Sequence, residues 1–246
     1  MSNIIASAYY IWEAITMTRY GIDVSRWQGN IDWTKVKVDF CIMQAGFGRE
    51  LSQKDICFDN NYNGCKKNKI PCGAYWYSYA QSEDEARLEA KVCIETIKNK
   101  QFEYPIYYDV EEQRTLDLGR EKISAIIKAF LDELEKAGYF AGLYMSAYFL
   151  KEYVNDSIKN RYAVWVAHHG VNKPDYTGKY GMWQKSNTGS VAGINGNVDL
   201  DECYVDYPAD IKAAGLNGFP KAPNKKSKFF KITVDNKTYS GTLTEI

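Results

Sequence analysis

The sequence predicts an α/β protein built as an irregular (β/α) barrel, on the strength of three observations. Its 246 residues match the length of a single α/β barrel domain, about 250 residues. From residue 19 onward, short apolar runs alternate with amphipathic stretches, a pattern typical of parallel strands joined by right-handed helical crossovers. After Trp165 the helical patterns stop, so we expect the last third to be mostly β.

The strands and helices can be assigned in order along the chain. The predicted strands are RYGIDVS, DFCIMQAGFG, IPCGAYWYSYA, YPIYYDV, YFAGLYM and RYAVWVAHH, with YGMWQKSN and GNVDLDECYV as closing strands. The predicted helices are IDWTKVK opened by Asp32, DICFDNNYNGCKKNK begun by Asp55, SEDEARLEAKVCIETIKNK, GREKISAIIKAFLDELEKAG and SAYFLKEYVND. The third of these is the clearest helix, because a serine cap is followed by acids in the first turn. Gly138 is expected to close the fourth.

The ends of the chain differ from this pattern. Residues 1–18 are moderately apolar, but they carry Glu13 and lack the basic region of a signal peptide, so we interpret them as an N-terminal extension. Met17 is an alternative start. The barrel is expected over residues 19–215, followed by a Pro- and Lys-rich linker over 216–228. Residues 229–246 alternate like a short β-hairpin with its turn at Asp235 and Asn236.

Composition excludes several function classes. Lys plus Arg equal Asp plus Glu, 31 each, so no basic excess favours nucleic acid or an anionic membrane. The cysteines lie in apolar or helical segments, as expected of buried thiols in a reducing compartment. His168 and His169 are the two histidines, and adjacent residues of a strand face opposite ways. A zinc amidase or a Cys-His peptidase is therefore disfavoured, and we predict no metal and no cofactor.

Paired acids are the most informative chemical feature. Asp109 and Glu111 follow the apolar strand YPIYYDV, and strand alternation places both on one face. Neighbouring buried carboxyls raise one pKa and leave the other group charged, which supplies a proton donor and an anion together. The alternative is a strand end that emerges into solvent. Asp23 and Asp199 also follow strands, and a barrel would bring such strand ends to one face.

Several segments together carry a family resemblance. GIDVSRWQGNIDW, FCIMQAGFG, IPCGAYWYSYA, YYDVEE, YAVWVAHHG, MWQKS and GNVDLDECY resemble glycoside hydrolase family 25, the Chalaropsis-type lysozymes, over roughly Tyr20 to Tyr207. The resemblance implies an irregular α/β barrel and an N-acetylmuramidase that cleaves the β-1,4 bond from N-acetylmuramic acid to N-acetylglucosamine. By motif position it implies Glu111 as the general acid, with Asp109, Asp23 and Asp199 as the other acids of the cleft.

Aromatic residues near the strand ends are candidates for sugar binding. They are Tyr77, Tyr79, Tyr144, Trp165 and Trp183, each able to stack on a pyranose ring or to donate a hydrogen bond. Because one strand residue in two faces the core, we expect about half of them to be packing residues. Gln44 departs from the family pattern, where a basic residue is common, and this predicts an altered contact to the muramyl sugar.

The resemblance also indicates a biological setting. The implied partner is bacterial peptidoglycan, with no nucleic acid and no membrane insertion. We expect a phage or prophage endolysin made in the cytoplasm and released by a holin-type partner or other export. The alternatives are a bacterial wall-remodelling lysozyme, another glycosidase such as a chitinase, and a non-catalytic glycan-binding barrel. The tail is expected to pair with the barrel, to dimerise, or to begin a wall-binding module.

Overall fold

Eight strands close into a barrel. The computed structural model describes residues 18–221 and the backbone of residues 228–234 and 237–243. The barrel strands follow chain order: β1 (Arg19–Val24), β2 (Phe40–Phe47), β3 (Cys72–Tyr77), β4 (Ile106–Asp109), β5 (Ala141–Ser146), β6 (Ala163–Ala167), β7 (Met182–Gly189) and β8 (Val198–Cys203). Neighbours from β1 to β7 are parallel, whereas β8 is antiparallel to both β7 and β1. The predicted irregular α/β barrel is confirmed.

α-Helices join the parallel strands from β2 to β6, and one more helix follows β8. They are α1 (Phe58–Lys67), α2 (Glu83–Ile97), α3 (Gln113–Leu116), α4 (Arg120–Lys136), α5 (Ala147–Tyr153), α6 (Asp156–Lys159) and α7 (Tyr207–Ala214). The predicted cap of α2 is present, because the Ser82 hydroxyl accepts a hydrogen bond from the Glu85 amide at 3.2 Å. Gly138 follows α4 with a φ of 85°, a left-handed conformation that ends the helix.

Three helix predictions were wrong in detail. IDWTKVK forms only a turn over residues 33–35, where the Asp32 carboxylate accepts hydrogen bonds from both the amide and the hydroxyl of Thr34. The next helix begins at Phe58 rather than Asp55, since the Asp55 carboxylate instead binds the amides of Arg26 and Cys57. Helices also do not stop after Trp165, because α7 follows β8.

The core has two parts separated by the barrel wall. Inside the barrel, aromatic rings fill the lower half, and they include Phe40, Tyr104, Tyr107 and Trp165. Side chains of the opposite parity pack outward against the helices, as Tyr108 does when it stacks on Phe130 of α4 at 3.8 Å between ring centroids.

Beyond the barrel, the described backbone forms a two-stranded antiparallel sheet of β9 (Lys228–Val234) and β10 (Lys237–Leu243). The predicted turn at Asp235 and Asn236 lies outside the described residues, as do most of the predicted N-terminal extension and residues 222–227 of the linker. All six cysteines are free thiols. Within the described ranges, no helix has the length and apolarity needed to cross a membrane.

Candidate active site

A polar cavity of about 210 Å³ opens at the carboxyl ends of the parallel strands. It brings together all four predicted acids, along with Gln44, Tyr77, Tyr144 and Trp165 from the predicted binding set. The full lining is Asp23, Trp27, Gln44, Tyr75, Tyr77, Asp109, Glu111, Tyr144, Trp165, Gln184 and Asp199. Residues far apart in sequence therefore form one acidic site.

The barrel topology explains how the acids meet. Asp23 lies near the end of β1 and Asp109 ends β4, and both strands point the same way around the barrel. Asp199 reaches this face for a different reason from the one we expected. Strand β8 is antiparallel, so Asp199 lies near its beginning, where it is directly opposite Asp23 in the strand register.

Asp109 and Glu111 form an electrostatically coupled pair. Asp109 is 4% exposed, and burial followed by the charge of Glu111 raises its pKa well above the ordinary value. Glu111 is exposed to solvent, yet neighbouring protein atoms remove part of the water around its carboxyl. That desolvation raises the pKa of Glu111, with His169 opposing the rise and Asp199 adding to it. Such a pair holds a proton at a pH where free carboxylic acids have lost theirs.

A hydrogen-bond network holds Asp23 in place. The side-chain amide of Gln184 donates to Asp23 Oδ2 at 2.8 Å. Its carbonyl oxygen accepts from the Tyr144 hydroxyl at 2.9 Å and contacts His169 Nε2 at 2.8 Å. All these groups lie within or beside the cavity, so one glutamine fixes the position of a catalytic candidate.

Asp201 is a second buried acid, directly beneath the site. The Trp165 indole donates to Asp201 Oδ1 at 2.9 Å, whereas the buried Asp201 Oδ2 has no hydrogen-bond partner among the described residues. Burial raises the pKa of Asp201 to about 8, and burial together with Asp201 and Asp199 raises the pKa of Asp23 well above its ordinary value.

The aromatic candidates divide between the cavity and its surroundings. Tyr144 and Trp165 lie edge to face, with ring centroids 4.5 Å apart, and line the cavity. Tyr77 also lines it, and its hydroxyl donates to Glu112 at 3.2 Å. Tyr77 is half-buried at the cavity, whereas Tyr144 and Trp165 are 8% and 1% exposed and pack among the aromatic rings of the interior.

Tyr79 and Trp183 do not line this cavity. Trp183 is buried against the helices, and its indole donates to the His168 carbonyl at 2.9 Å. On β7 it is Gln184, of opposite parity, that faces the site. Tyr79 lies beyond the end of β3 and lines a neighbouring cavity. Neither position supports direct contact with a sugar in the catalytic cavity.

Sequence reasoning missed four residues of this region: Trp27, Tyr75, Gln184 and Asp201. Tyr75 had a usable signal, since it lies two residues before Tyr77 on the same strand. Gln184 and Trp27 belong to the quoted segments MWQKS and SRWQG, but only the fold shows which side chain of each segment turns toward the cavity. Trp27 is 80% exposed at the rim. No group of three or more His, Cys, Asp or Glu in the described part of the chain is arranged to hold a metal ion.

Comparison with known proteins identifies relatives of this chain. The protein is 32% identical to the uncharacterized protein YegX of Escherichia coli O157:H7 over 194 residues, which cover 75% of this chain and 69% of that protein. It is also 32% identical to the autolytic lysozyme of Clostridium acetobutylicum over 185 residues, which cover 74% of this chain and 55% of that protein. Among solved structures it is similar to the CTP1L endolysin, with a TM-score of 0.70 and 28% identity over 79% of this chain and 70% of that one.

The family assignment rests on the match to a family model. The model of the glycosyl hydrolases family 25 matches residues 22–194, from Ile22 in β1 to the loop before β8. This range contains Asp23, Asp109 and Glu111. The chain therefore belongs to glycosyl hydrolases family 25, and it is a glycoside hydrolase.

Proposed function

We propose that Glu111 and Asp109 carry out the chemistry of this enzyme, a lysozyme that hydrolyses the β-1,4 bond from N-acetylmuramic acid to N-acetylglucosamine in peptidoglycan. The observation that carries the proposal is the convergence of Asp23, Asp109, Glu111 and Asp199 in one cavity. Similarity to the autolytic lysozyme and to the endolysin supports the substrate class.

Glu111 has the position of a general acid. A general acid must reach the glycosidic oxygen and keep its proton near neutral pH. Glu111 lines the cavity with an exposed edge, and its pKa is already raised. A glycan bound in the cavity would remove water from that edge and raise the pKa further. Substrate binding thus places the proton of the pair on the carboxyl nearest the leaving group.

Asp109 has the position of a group that orients the substrate. Its Oδ1 is buried and has no hydrogen-bond partner among the described side chains and backbone. Buried acceptors are nearly always paired, so an orphaned one calls for a partner from outside the chain. The N–H of the substrate acetamido group has the chemistry to fill this place.

This arrangement favours assistance by the acetamido group. In the first step its carbonyl oxygen attacks C1 of the muramic residue, the bond from C1 to the glycosidic oxygen breaks, and that oxygen takes the proton of Glu111. In the second step water adds to C1, gives its proton to the Glu111 carboxylate, and restores the acetamide. Two displacements at C1 retain the anomeric configuration.

A carboxylate nucleophile is the alternative route, with the two carboxyls about 5 Å apart. The two routes differ in their demand on the acetamido group. If the group takes part, hydrolysis of a substrate series with N-fluoroacetyl groups slows steeply as fluorine lowers the nucleophilicity of the carbonyl oxygen. A rate that is flat across the series would favour the carboxylate.

The rim and floor of the cavity supply sugar contacts. Trp27 is exposed beside the cavity, and the guanidinium of Arg26 lies 5.1 Å from its ring centroid. An exposed indole at a polar cleft suits stacking on a pyranose ring. Tyr77, Tyr144 and Trp165 provide the opposite wall, and Gln44 replaces the charge common at its position with an amide.

The test is mass spectrometry of borohydride-reduced products from purified peptidoglycan. Wild type should yield reduced muramic ends, and Glu111→Gln should yield none while keeping the native circular dichroism spectrum. Asp117→Asn is the matched control, an exposed acid six residues away whose carboxylate accepts from Gln113; it should yield the wild-type products. Reduced glucosamine ends would identify a different bond, and intact strands with wild type would refute hydrolysis.

We also propose that the enzyme acts on the bacterial wall in an endolysin setting, which the similarity to the CTP1L endolysin supports. Release by a holin-type partner predicts that co-expression with a holin, but not expression alone, lyses the producing cell.

For the tail, the proposed role is pairing of the sheet of β9 and β10 with a second copy of the chain. Light scattering of the full chain and of a chain ending at residue 221 tests this role.

A further inference from the structure

A second cavity, of about 400 Å³, lies beside the catalytic one. Its lining is Gly48, Arg49, Glu50, Gln53, Tyr79, Gln81, Glu85 and Arg114. The two cavities meet at a tyrosine pair, since Tyr77 lines the first, Tyr79 lines the second, and their ring centroids are 5.2 Å apart. We call this second cavity the arginine pocket.

The arginine pocket is built from the segments that follow β2, β3 and β4, so it opens on the same face as the catalytic acids. Its walls are held by internal hydrogen bonds. The Gln53 side-chain oxygen accepts from the amides of Arg49 and Glu50, both at 2.8 Å, and Glu85 accepts from the Gln81 amide at 2.7 Å. Gly48 has a φ of 66° and passes so close to Gln53 that a Cβ would lie 2.5 Å from its amide.

The charges of the arginine pocket fit a ligand with carboxylates. The Arg49 guanidinium forms an ion pair with Glu85 across the cavity wall. The Arg114 side chain is 69% exposed, and its nearest ion-pair contact is a long 3.8 Å from Nε to Glu112. A guanidinium has five N–H donors, and this long contact occupies at most one of those of Arg114. The group can therefore still make a bidentate contact to a carboxylate. Glu50 and Glu85 offer complementary sites for an amine.

The substrate supplies such a ligand next to the cleft. Muramic residues of peptidoglycan carry stem peptides on their lactyl groups, and a stem peptide bears carboxylates and an amine. A glycan strand seated over Glu111 must place these peptides along the flanks of the cleft. The arginine pocket is a preformed polar cavity on that flank, one tyrosine ring away from the catalytic cavity.

We propose that the arginine pocket binds the stem peptide of peptidoglycan, with Arg114 and Arg49 receiving its carboxylates and Tyr79 packing against its backbone. This inference rests on the proposed function, because it takes peptidoglycan as the substrate. It also gives Tyr79 a role different from the sugar contact that we first expected.

The test compares two substrates, intact peptidoglycan and the same glycan after an amidase has removed its stem peptides. The measured quantity is the ratio of kcat/KM on the first to kcat/KM on the second. The double variant Arg49→Ala/Arg114→Ala should lower this ratio about tenfold, the effect of losing charge-assisted contacts. Arg87→Ala, an exposed arginine of α2 that pairs with Glu83 and Asp84, should leave the ratio at the wild-type value.

A binding measurement separates this inference from the proposed function. Calorimetry with the soluble peptide released by the amidase should show binding to Glu111→Gln, and loss of that binding when both arginines are also replaced. An unchanged ratio, or peptide binding that survives the arginine replacements, would overturn the inference. If wild type cleaves neither substrate while the peptide still binds through the arginines, the proposed function fails and the pocket assignment stands.

Discussion

Replacement of Asp201 by Asn should stabilise the protein at neutral pH, although Asp201 is fully buried in its core. Burial raises its pKa from 3.8 to about 8, because the charged form is costly inside the barrel. An asparagine has nearly the same shape and never ionises. Its carbonyl oxygen can accept from the Trp165 indole as Asp201 does, and its amide can donate to Asp23.

The magnitude follows from proton linkage. Between pH 3.8 and 8 the unfolded chain has lost the Asp201 proton and the folded chain keeps it, so the free energy of unfolding falls as pH rises through this window. At 1.36 kcal/mol per pKa unit, the free energy of unfolding at pH 7 is lower by on the order of 4 kcal/mol than it would be without this shift. Because Asp201 also raises the pKa of Asp23, so that the two carboxyls titrate together, we expect Asp201→Asn to recover about half, or about 2 kcal/mol, which raises Tm by roughly 4–8 °C.

Thermal unfolding followed by near-UV circular dichroism at pH 5 and pH 8 measures the effect. The Tm of the wild type should be lower at pH 8 than at pH 5, and this difference should be clearly smaller for Asp201→Asn. Asp117→Asn, which removes an exposed acid, should keep the wild-type slope. A lower Tm for Asp201→Asn at pH 8, with the wild-type slope retained, would refute the assignment of a buried proton to this pair.

Three further predictions concern the cleft and one helix. Trp27→Ala should raise KM for glycan about tenfold through lost stacking, with Tm unchanged because the side chain is exposed; initial rates and a melting curve check both parts. Asp199→Asn should move the alkaline limb of the pH profile of kcat/KM to lower pH, since removing this negative charge lowers the pKa of Glu111 and the acid loses its proton earlier. An unmoved limb would contradict Glu111 as the acid. Ser82→Ala should cost about 1 kcal/mol through the lost cap of α2, measured by urea unfolding, and activity in the folded state should not change.

Much of the fold could be predicted because strands and long helices are encoded locally. The apolar runs that form β1 to β8 are rich in the residue types that favour strands. The start of α2 is marked in the sequence by the capping Ser82 and the three acids that follow it. The predictions failed where a short polar side chain had a choice of partners. Asp32 and Asp55 both look like helix caps in sequence, yet Asp32 closes a turn at Thr34 and Asp55 binds Arg26, which lies 29 residues away.

The four acids were also accessible from sequence, because they lie in recognisable segments next to strand ends. Their arrangement was not. Asp199 lies opposite Asp23 only because β8 runs antiparallel to β1, and no local pattern encodes strand direction. The raised pKa values of Asp23 and Asp201 likewise depend on burial inside the barrel.

By itself the sequence determined the order of strands and helices, the family, and the acids that could do chemistry, since these follow from local pattern and residue type. Only the tertiary structure decided that Gln184 rather than Trp183 faces the site, that Trp27 stands at the rim, and that the segments after β2, β3 and β4 form the arginine pocket. The physical reason is that the direction of a side chain in a barrel depends on register with neighbouring strands. A cavity, in turn, is made of surfaces that meet only when the barrel closes.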